Sequence, residues 1–520
     1  MTRSYAEPIP AAPSPFAAAR TFADETERAL VSEELLSAPH SAAEAYVNAR
    51  GREWARLVLE AQYALRAARE HRVEVVGADG VERGAMRESE RHIETLVGTV
   101  AAPRLAYQQA GHADLHPMDA MLNLPTEDSF SHGVRRMAAM ESASGSFEEV
   151  VDRIRDYTGA KVAKRQVELL ASRAAQDFDA FYELRRRERE LTTDLLVIST
   201  DGKGVVVRRE DLREATRKRA EESTHKVETR LTPGEKRERK RMAQVGTVYT
   251  VPPWERTAAD ILHSLRDEES ESQRPRPRDK RVFASVAKAQ RAVIREAFDE
   301  ALRRDPERRR RWVVLVDGDA KQLKSVKAEA RRVGVTVTIV ADIVHVLEYV
   351  WKAARAIFGE TSPEAENWVG DRFLALLTGR TGGEVAATIR YWAKRRSKSI
   401  DASARKAITK ACAYLANRTR VRLMHYADYL ADGLPISTGV IEGACRYLVK
   451  DRMDRTGARW SLAGAEAVLR LRALRASGDF DDYWHFHLAR ELERNHAVRY
   501  ANAEIPNPLP ARRGHLRLVK

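Results

Sequence analysis

Apolar positions recur at helical spacing near the beginning of the chain. Between Ala42 and Arg72 they predict one long amphipathic helix. The apolar face of this helix consists of Trp54, Leu57, Val58, Ala61 and Leu65. We interpret the face as part of a core or of a dimer seam. Residues 1–40 are rich in Ala, Pro and Ser and are predicted to form a disordered arm.

Two further patterns follow in the N-terminal part. Alternating apolar and polar positions from His92 to Tyr107 predict a hairpin of short strands around a glycine. From Ser146, a capping-box spacing with Glu149 predicts a helix that ends at Thr158-Gly159, before a second helix reaches about residue 174. Such a pair is a helix-turn-helix candidate. Its second helix would present four residues to DNA: Lys161, Lys164, Arg165 and Gln166. Many helical hairpins bind no DNA, and a purely structural hairpin stays open as the alternative.

The pattern changes to β-structure at Leu195. The run LLVISTDGKGVVV predicts a strand, a tight turn at Thr200 to Gly202, and a second strand, with Asp201 at the strand edge. Residues 208–242 form a charged insertion, predicted to be helical or disordered, and GTVYTVPPW predicts a return to a strand. Residues 272–281, SQRPRPRDKR, are predicted to be an extended basic linker, followed by a helix over 287–304.

A βαβ unit is predicted next. The apolar runs Trp312–Val316 and Val335–Val340 enclose a helix of about 13 residues, which favours parallel strands. Asp317 follows the first strand, at the sheet edge where ligand chemistry gathers in open α/β sheets. Asp319 and Asp342 are alternatives for the same role, and Asp342 is also a candidate N-cap.

The remaining chain is predicted to be helical. Residues 351–432 show no strand pattern. From about Thr438 a helix carries Glu442, and its apolar stripe consists of Ile441, Cys445, Leu448 and Val449. Gly439 and Gly443 flank the acid and indicate a close approach to its backbone. A further helix runs from Ser461 to Gly478, and the basic tail after Asn502 is predicted to be disordered.

Charge and composition limit the classes of molecule that the protein is expected to bind. The 520 residues carry a net charge of +14, which favours a polyanion, with nucleic acid ahead of a membrane surface. No run of 18 or more apolar residues and no signal-peptide pattern occurs, so we expect a soluble, cytoplasmic, nucleoid-associated protein. Two cysteines exclude a disulfide framework and a cysteine-only zinc site.

The order of predicted elements is typical of a ribonuclease H-like domain. The predicted fold class is therefore an α/β core, with a mixed sheet flanked by helices, interrupted by an all-α insertion and preceded by a mostly helical DNA-binding region. Asp201, Asp317 and Glu442 occupy the first strand, the end of the fourth and a late helix. Three carboxylates that converge in a basic protein can hold two Mg²⁺ ions for displacement at phosphorus.

Four segments resemble the transposases of bacterial insertion sequences in the ISKra group, which are of the DDE class and distantly similar to Mutator-like transposases. They are STDGKGVVVRREDLREATRK, WVVLVDGDAKQL, VTIVADIVHVLEYVWKAA and the block that begins GLPISTGVIEGACRYLVKDRMDRTGARWS. The likeness extends from about Arg91 to Asn495. It implies Mg²⁺-dependent hydrolysis at the ends of a DNA element and strand transfer by the released 3′-OH, with Mn²⁺ able to substitute.

The resemblance also assigns residues. The catalytic, metal-binding triad maps to Asp201 in TDGKG, Asp317 in VDGD and Glu442 in IEGACR. Accessory and DNA-contacting roles map to Asp342 and His345 in a D-x-x-H motif, and to Arg446, Lys450, Arg459 and Trp460. The implied partners are double-stranded DNA, as element ends and target, and a second copy of the chain in a homodimer or larger assembly. A ribonuclease H-like nuclease or resolvase, and a non-catalytic DNA-binding protein derived from a transposase, stay open as alternatives.

The predicted domains follow from these elements. They are an arm (1–40), a helix with a hairpin (41–128), a helix-turn-helix region (129–190), the first part of the core (191–350), an all-α insertion (351–434), the last part of the core (435–496) and a basic tail (497–520).

Overall fold

The structure is a computed structural model that describes residues 14–185, 192–222, 239–265, 274–455 and 457–509. The chain divides into two compact units, Met1–Phe181 with Asp481–Lys520, and Tyr182–Phe480. The C-terminal segment therefore belongs to the same unit as the N-terminal segment. The predicted last part of the core, residues 435–496, therefore includes residues 481–496 of the first unit. Among the helices that the structure describes, none combines the length and apolar content that a membrane span needs.

Within residues 14–185 the structure contains eight helices and one hairpin. In chain order they are α1 (Ala17–Leu30), α2 (Glu33–Leu36), α3 (His40–Ala67), β1 (Ala85–Thr95), β2 (Gly98–Gln108), α4 (Pro117–Met121), α5 (His132–Ser142), α6 (Phe147–Thr158), α7 (Lys164–Ala174) and α8 (Phe178–Leu184). The hairpin is confirmed, with longer strands than predicted. The disordered arm is wrong for residues 17–36, which form α1 and α2, whereas residues 1–13 lie outside the described part.

The second unit alternates strands and helices. Its elements are β3 (Leu195–Val206), α9 (Glu214–Glu222), β4 (Lys240–Val251), α10 (Ala258–Leu265), β5 (Arg278–Ser285), α11 (Gln290–Arg304), β6 (Trp312–Val316), α12 (Ala320–Val333), β7 (Val337–Ala341), α13 (Ile343–Phe358), α14 (Pro363–Leu377), α15 (Gly382–Arg395), α16 (Ala402–Arg420), α17 (Tyr426–Ala431), α18 (Gly439–Ala444), α19 (Asp451–Met453) and α20 (Leu462–Ser477). A π-helical turn, Cys445–Lys450, joins α18 to α19, and α21 (Phe480–Asn495) follows.

One mixed sheet forms the centre of the second unit. Its strand order is β5-β4-β3-β6-β7. β3, β4 and β5 pair antiparallel, whereas β3, β6 and β7 are parallel neighbours. All five residues of β6 are buried, as its continuous apolar run requires for a strand covered on both faces. The predicted parallel βαβ unit is confirmed.

Two predictions about this sheet are wrong. The turn at Thr200 to Gly202 does not exist, because β3 continues through Asp201, which pairs with Val245 of β4. The basic linker over 272–281 ends in β5. The cause is Arg281, whose side chain is fully buried and forms ion pairs with carboxylates of α11. Arginine is usually exposed, so a basic segment is read from sequence as a solvated linker; here ion pairs allow the arginine to be buried in a strand.

The first unit has separate cores. Apolar residues of α5, α6 and α7, with their connections, form one cluster around Val134, Ile154 and Val167. The capping box of Ser146 and Glu149 and the left-handed Gly159 (φ 75°) are present as predicted. A second cluster contains Val75 and Tyr500. Ile505 packs against this cluster, and the carbonyl of Pro508 accepts from the backbone N–H of His71 at 3.0 Å, so the prediction of disorder after Asn502 is wrong over 503–509. Residues 510–520 lie outside the described part.

Candidate active site

Acidic side chains gather at one edge of the five-stranded sheet. The registers of β3, β6 and β7, continued past their last paired residues, align Asp201, Asp317 and Asp342 in one row. Asp201 belongs to β3, and the other two aspartates directly follow β6 and β7. Asp317 and Asp342 thus follow the carboxyl ends of two parallel strands, where open α/β sheets bind ligands, and Asp201 joins them from the middle of β3, just beyond its last residue paired with β6.

Asp342 is the most enclosed of these acids. Its side chain is fully buried, and it caps α13 by accepting from the backbone N–H of Val344 at 3.0 Å. The other carboxylate oxygen lies 2.9 Å from Nδ1 of His345 and accepts from the hydroxyl of Thr438. The predicted N-cap role is confirmed. Asp342 thus orients His345 and joins α13 to the start of α18.

Glu442 reaches the same edge from α18. Its Oε1 lies 3.5 Å from the hydroxyl of Thr438, which links it to Asp342. At the start of the π-helical turn that follows α18, the thiol of Cys445 donates to Oδ2 of Asp201 at 3.4 Å, so this turn contacts β3. The predicted apolar stripe of the helix is buried.

The role predicted for the glycines beside Glu442 is wrong. A Cβ added at Gly439 meets nothing within 4 Å, and one at Gly443 meets only Tyr447 at an ordinary 3.7 Å. No close backbone approach therefore requires glycine at either position. The contact between this helix and the sheet is made by side chains.

Asp317 and Asp319 differ in their bonding. Asp319 caps α12, because its side chain accepts from the backbone N–H groups of Lys321 and Gln322. The Asp317 carboxylate accepts only from the backbone of Asp319, at 2.9 Å, among the interactions of the described residues. Asp317 therefore retains more oxygen capacity for a ligand than Asp319 does.

The acids influence one another electrostatically. Burial raises the pKa of Asp317, and the negative charge of Asp201 raises it further. Burial also raises the pKa of Glu442, with contributions from Asp342 and Asp201. The hydrogen bond to Asp342 raises the pKa of His345 to about 9, so this imidazole is cationic at neutral pH. Mutual repulsion among carboxylates is the condition that a bound cation relieves.

One subset has the compactness of a metal site. Ligand atoms of Asp342, His345 and Glu442 all lie within 4.8 Å of one another. This subset differs from the predicted triad of Asp201, Asp317 and Glu442, with which it shares Glu442. His345 must lose its proton to become a ligand, and its raised pKa opposes this near neutral pH. The remaining donors are carboxylate oxygens, which fit Mg²⁺ and Mn²⁺.

A scan against models of protein families and a search of curated proteins both find no match. The assignment of function therefore depends on the residues of this chain.

The predicted DNA-binding residues lie in two places. In the first unit, Lys161, Lys164, Arg165 and Gln166 are all exposed around the N-terminus of α7. Lys164 contacts Glu148 at 2.5 Å, and Gln166 accepts from the backbone of Ala163. In the second unit, the exposed residues are Arg446, Lys450 and Arg459.

Trp460 differs from the expectation. Its side chain is only 6% exposed, and its indole N–H donates to the carbonyl of Met453 at 3.1 Å. Its backbone pairs with the end of β3 at Val206 and Arg208. In this conformation Trp460 is a packing residue that anchors the segment after α19, and its ring offers no surface to DNA.

Sequence reasoning missed several residues of the site. Thr438 and Cys445 are the side chains that connect the acids. Tyr414 of α16 donates its hydroxyl to the carbonyl of Asp317 at 2.8 Å, and Arg418 packs against Gly318. Thr438 and Cys445 each lie about one helical turn from Glu442, and this spacing could have identified them from the sequence. The residues of α16 had no such signal, because nearly a hundred residues separate them from Asp317.

Proposed function

We propose that this protein is a DDE-class transposase of an insertion sequence, with a ribonuclease H-like core that cuts and joins DNA strands in the presence of Mg²⁺. The carrying observation is the row of Asp201, Asp317 and Asp342 at one sheet edge, completed by Glu442 from a late helix. These acids come from four distant segments of the chain. Their mutual repulsion supports a role that requires a divalent cation.

The sheet topology supports the ribonuclease H-like part of the proposal. Numbered from β3, the strands have the order 3-2-1-4-5, with an antiparallel meander followed by two parallel strands. The helical segment from α13 to α17 separates the last strand from Glu442. Both features agree with the order that the resemblance implies.

Asp201, Asp317 and Glu442 would hold the divalent cations through carboxylate oxygens. Cations bound there would polarise the scissile phosphate and activate the attacking oxygen. Asp342 would hold His345 beside the acids through their 2.9 Å contact. None of these residues needs to form a covalent bond to DNA.

The charge of the protein supports DNA as the substrate. The net charge of +14 favours a polyanion. The exposed basic residues at the N-terminus of α7 have the position that recognition helices use in the major groove. We propose that they contact the element ends, and that two copies of the chain act together because two ends must be joined.

A strand-transfer assay tests the proposal. Duplexes from the DNA that flanks the reading frame, with Mg²⁺, should give cleaved and joined products. Asp201→Asn, Asp317→Asn and Glu442→Gln should each reduce both products by at least ~10²-fold, since each removes a proposed cation ligand. Asp319→Asn is the matched control, because asparagine also caps helices. Full activity in Asp317→Asn together with loss in Asp342→Asn would move the middle role to Asp342.

A second measurement separates chemistry from folding. Each of these substitutions removes one negative charge from a repulsive cluster, so the melting temperature without metal should stay constant or rise. Added Mn²⁺ should raise the melting temperature of the wild type more than that of the variants. Cleavage without joining would favour a nuclease. DNA binding without cleavage, and with no metal effect, would favour a non-catalytic DNA-binding protein.

A further inference from the structure

Arg418 lies beside the candidate active site without a carboxylate partner. It belongs to the last turn of α16, and its side chain crosses the loop between Asp317 and Asp319. In the described part of the chain, no salt bridge joins Arg418 to an acid, and its Nε is buried without a hydrogen-bond acceptor. The side chain of Arg418 is partly buried. By contrast, the fully buried Arg281 is paired with Glu300. A guanidinium that has no carboxylate partner next to an acidic site therefore requires an explanation.

The side chain is held in place from two directions. Its guanidinium carbon lies 4.7 Å from the ring centroid of Tyr414, one helical turn earlier. Tyr414 is fixed in turn by the hydrogen bond to the carbonyl of Asp317 and by a parallel stack on Tyr349 of α13, with centroids 3.9 Å apart. The position of Arg418 is therefore tied to the loop that carries Asp317.

Gly318 gives Arg418 its access to that loop. The glycine has φ of 86°, and a Cβ there would lie 2.9 Å from Cζ of Arg418 and 2.8 Å from its Cδ. Any larger residue would push the guanidinium away. The glycine thus permits a left-handed turn and allows a cation to lie against the backbone between two aspartates.

We propose that Arg418 binds a backbone phosphate of the DNA strand that occupies the acidic edge. This inference rests on the proposed function, because the phosphate it needs belongs to that substrate. The planar guanidinium presents several N–H donors, which match the oxygens of a phosphate. Among the described residues no salt bridge joins it to an acid, so the guanidinium can offset the negative charge that a phosphodiester brings to a cluster of carboxylates. The helices after β7 thus supply part of the site.

Three variants of the contact, a matched control variant and a modified DNA test this role. Arg418→Gln should lower the rate of strand cleavage by roughly 10²-fold, and Arg418→Lys should restore part of it, because lysine keeps the charge but not the fork. Gly318→Ala should act in the same direction as Arg418→Gln, since it displaces the side chain. Arg420→Gln is the matched control: Arg420 is exposed two residues further along α16 and points away from Arg418. Its activity should equal that of the wild type.

Methylphosphonates, which remove the charge of one phosphate at a time, identify the contact. With Ca²⁺ in place of Mg²⁺, one such position should weaken binding of the duplex by the wild type but cause no further loss in Arg418→Gln. The salt dependence of binding by Arg418→Gln should also correspond to about one phosphate contact fewer. Equal sensitivity of both proteins at every position, or a lower melting temperature as the sole effect, would overturn the inference.

The two proposals fail in different ways. If the wild type cleaves DNA and Arg418→Gln cleaves it equally well, the inference about Arg418 is wrong and the transposase proposal stands. If binding in Ca²⁺ depends on Arg418 but no cleavage occurs with Mg²⁺ or Mn²⁺, the phosphate contact stands and the catalytic proposal is wrong.

Discussion

Single side chains at the sheet edge combine burial with charge. Asp342 has no exposed side-chain surface and obtains its hydrogen bonds from a helix N-terminus, from His345 and from Thr438. A buried carboxylate is tolerated only when its oxygens are satisfied in this way. Thr438 is 4% exposed, and its hydroxyl contacts both Asp342 and Glu442.

Removal of the Thr438 hydroxyl should affect both stability and activity. Thr438→Val keeps the shape but removes a donor from a buried carboxylate, which should cost ~1–3 kcal/mol of unfolding free energy. The position of Glu442 should also loosen, with a lower cleavage rate. Urea denaturation and the strand-transfer assay measure the two effects. Thr438→Ser retains the hydroxyl and should behave like the wild type; equal losses in both variants would contradict this prediction.

A partly buried histidine, His132, predicts acid sensitivity of the first unit. Burial, with the nearby charge of Arg135, lowers the pKa of His132 to about 4, whereas the unfolded value is near 6.5. The folded state therefore binds fewer protons than the unfolded state between these values. Stability should be complete above about pH 6.5 and fall as the pH decreases toward about 4.

Denaturation of His132→Gln measures that contribution. Glutamine can still donate to the carbonyl of Asn123, the present partner of His132 at 2.8 Å. The loss of wild-type unfolding free energy between about pH 7 and about pH 4 should exceed that of the variant by up to ~3 kcal/mol. Parallel pH profiles of the two proteins would exclude His132 as the cause.

At the scale of elements, the α6–α7 pair is defined by capping residues in the sequence, and it exposes basic side chains at the start of α7. The capping box and left-handed Gly159 fix the turn between the helices, and the apolar face of each helix is buried. The basic residues of α7 remain exposed because they occupy the opposite face. The geometry is that of a helix pair which can present one helix end to a ligand.

Arg165→Ala tests whether this helix end contacts DNA. The substitution should weaken duplex binding several-fold and reduce its salt dependence by about one phosphate contact. Arg155→Ala is the control, because Arg155 is exposed on α6 and its side chain already contacts Asp152 and Asp156. Fluorescence anisotropy over a range of salt concentrations measures both quantities. Equal weakening in the two variants would indicate a general charge effect without a recognition helix.

At the scale of the whole molecule, the first unit is discontinuous in sequence. α21 completes it with buried contacts: Tyr483 donates to the carbonyl of Ala174 at 2.6 Å, and His487 contacts Asp177 at 2.7 Å. Arg135 contacts Glu491 at 2.9 Å. The second unit, by contrast, is one continuous segment with its own sheet.

Fragments should reflect this difference. A fragment of residues 182–480 should unfold cooperatively, because its core is contained in one segment. A fragment of residues 1–181 should lack a cooperative transition, and a covalent link to residues 481–520 should restore it. Circular dichroism with urea titration measures both. A stable 1–181 fragment would show that α21 is dispensable for the first unit.

Local signals in the sequence determined many elements directly. The apolar runs predicted β6 and the parallel βαβ unit. Capping residues predicted the start of α6 at Ser146 and the end of α20 at Gly478. The acids at the ends of strands were visible for the same reason. Hydrophobic periodicity and helix capping depend on residues only a few positions apart, so both can be recognised without knowledge of the fold.

Only the tertiary structure decided what those elements contact. It extended β3 through Asp201, made a strand of a segment whose arginine is buried by ion pairs, and ordered the tail around Tyr500. It also brought Thr438, Cys445 and Arg418 to the acidic edge. These features depend on strand register and on partners outside the local segment, such as Asp201 for Cys445 and Val75 for Tyr500, and no local pattern of apolar and polar positions encodes such pairings.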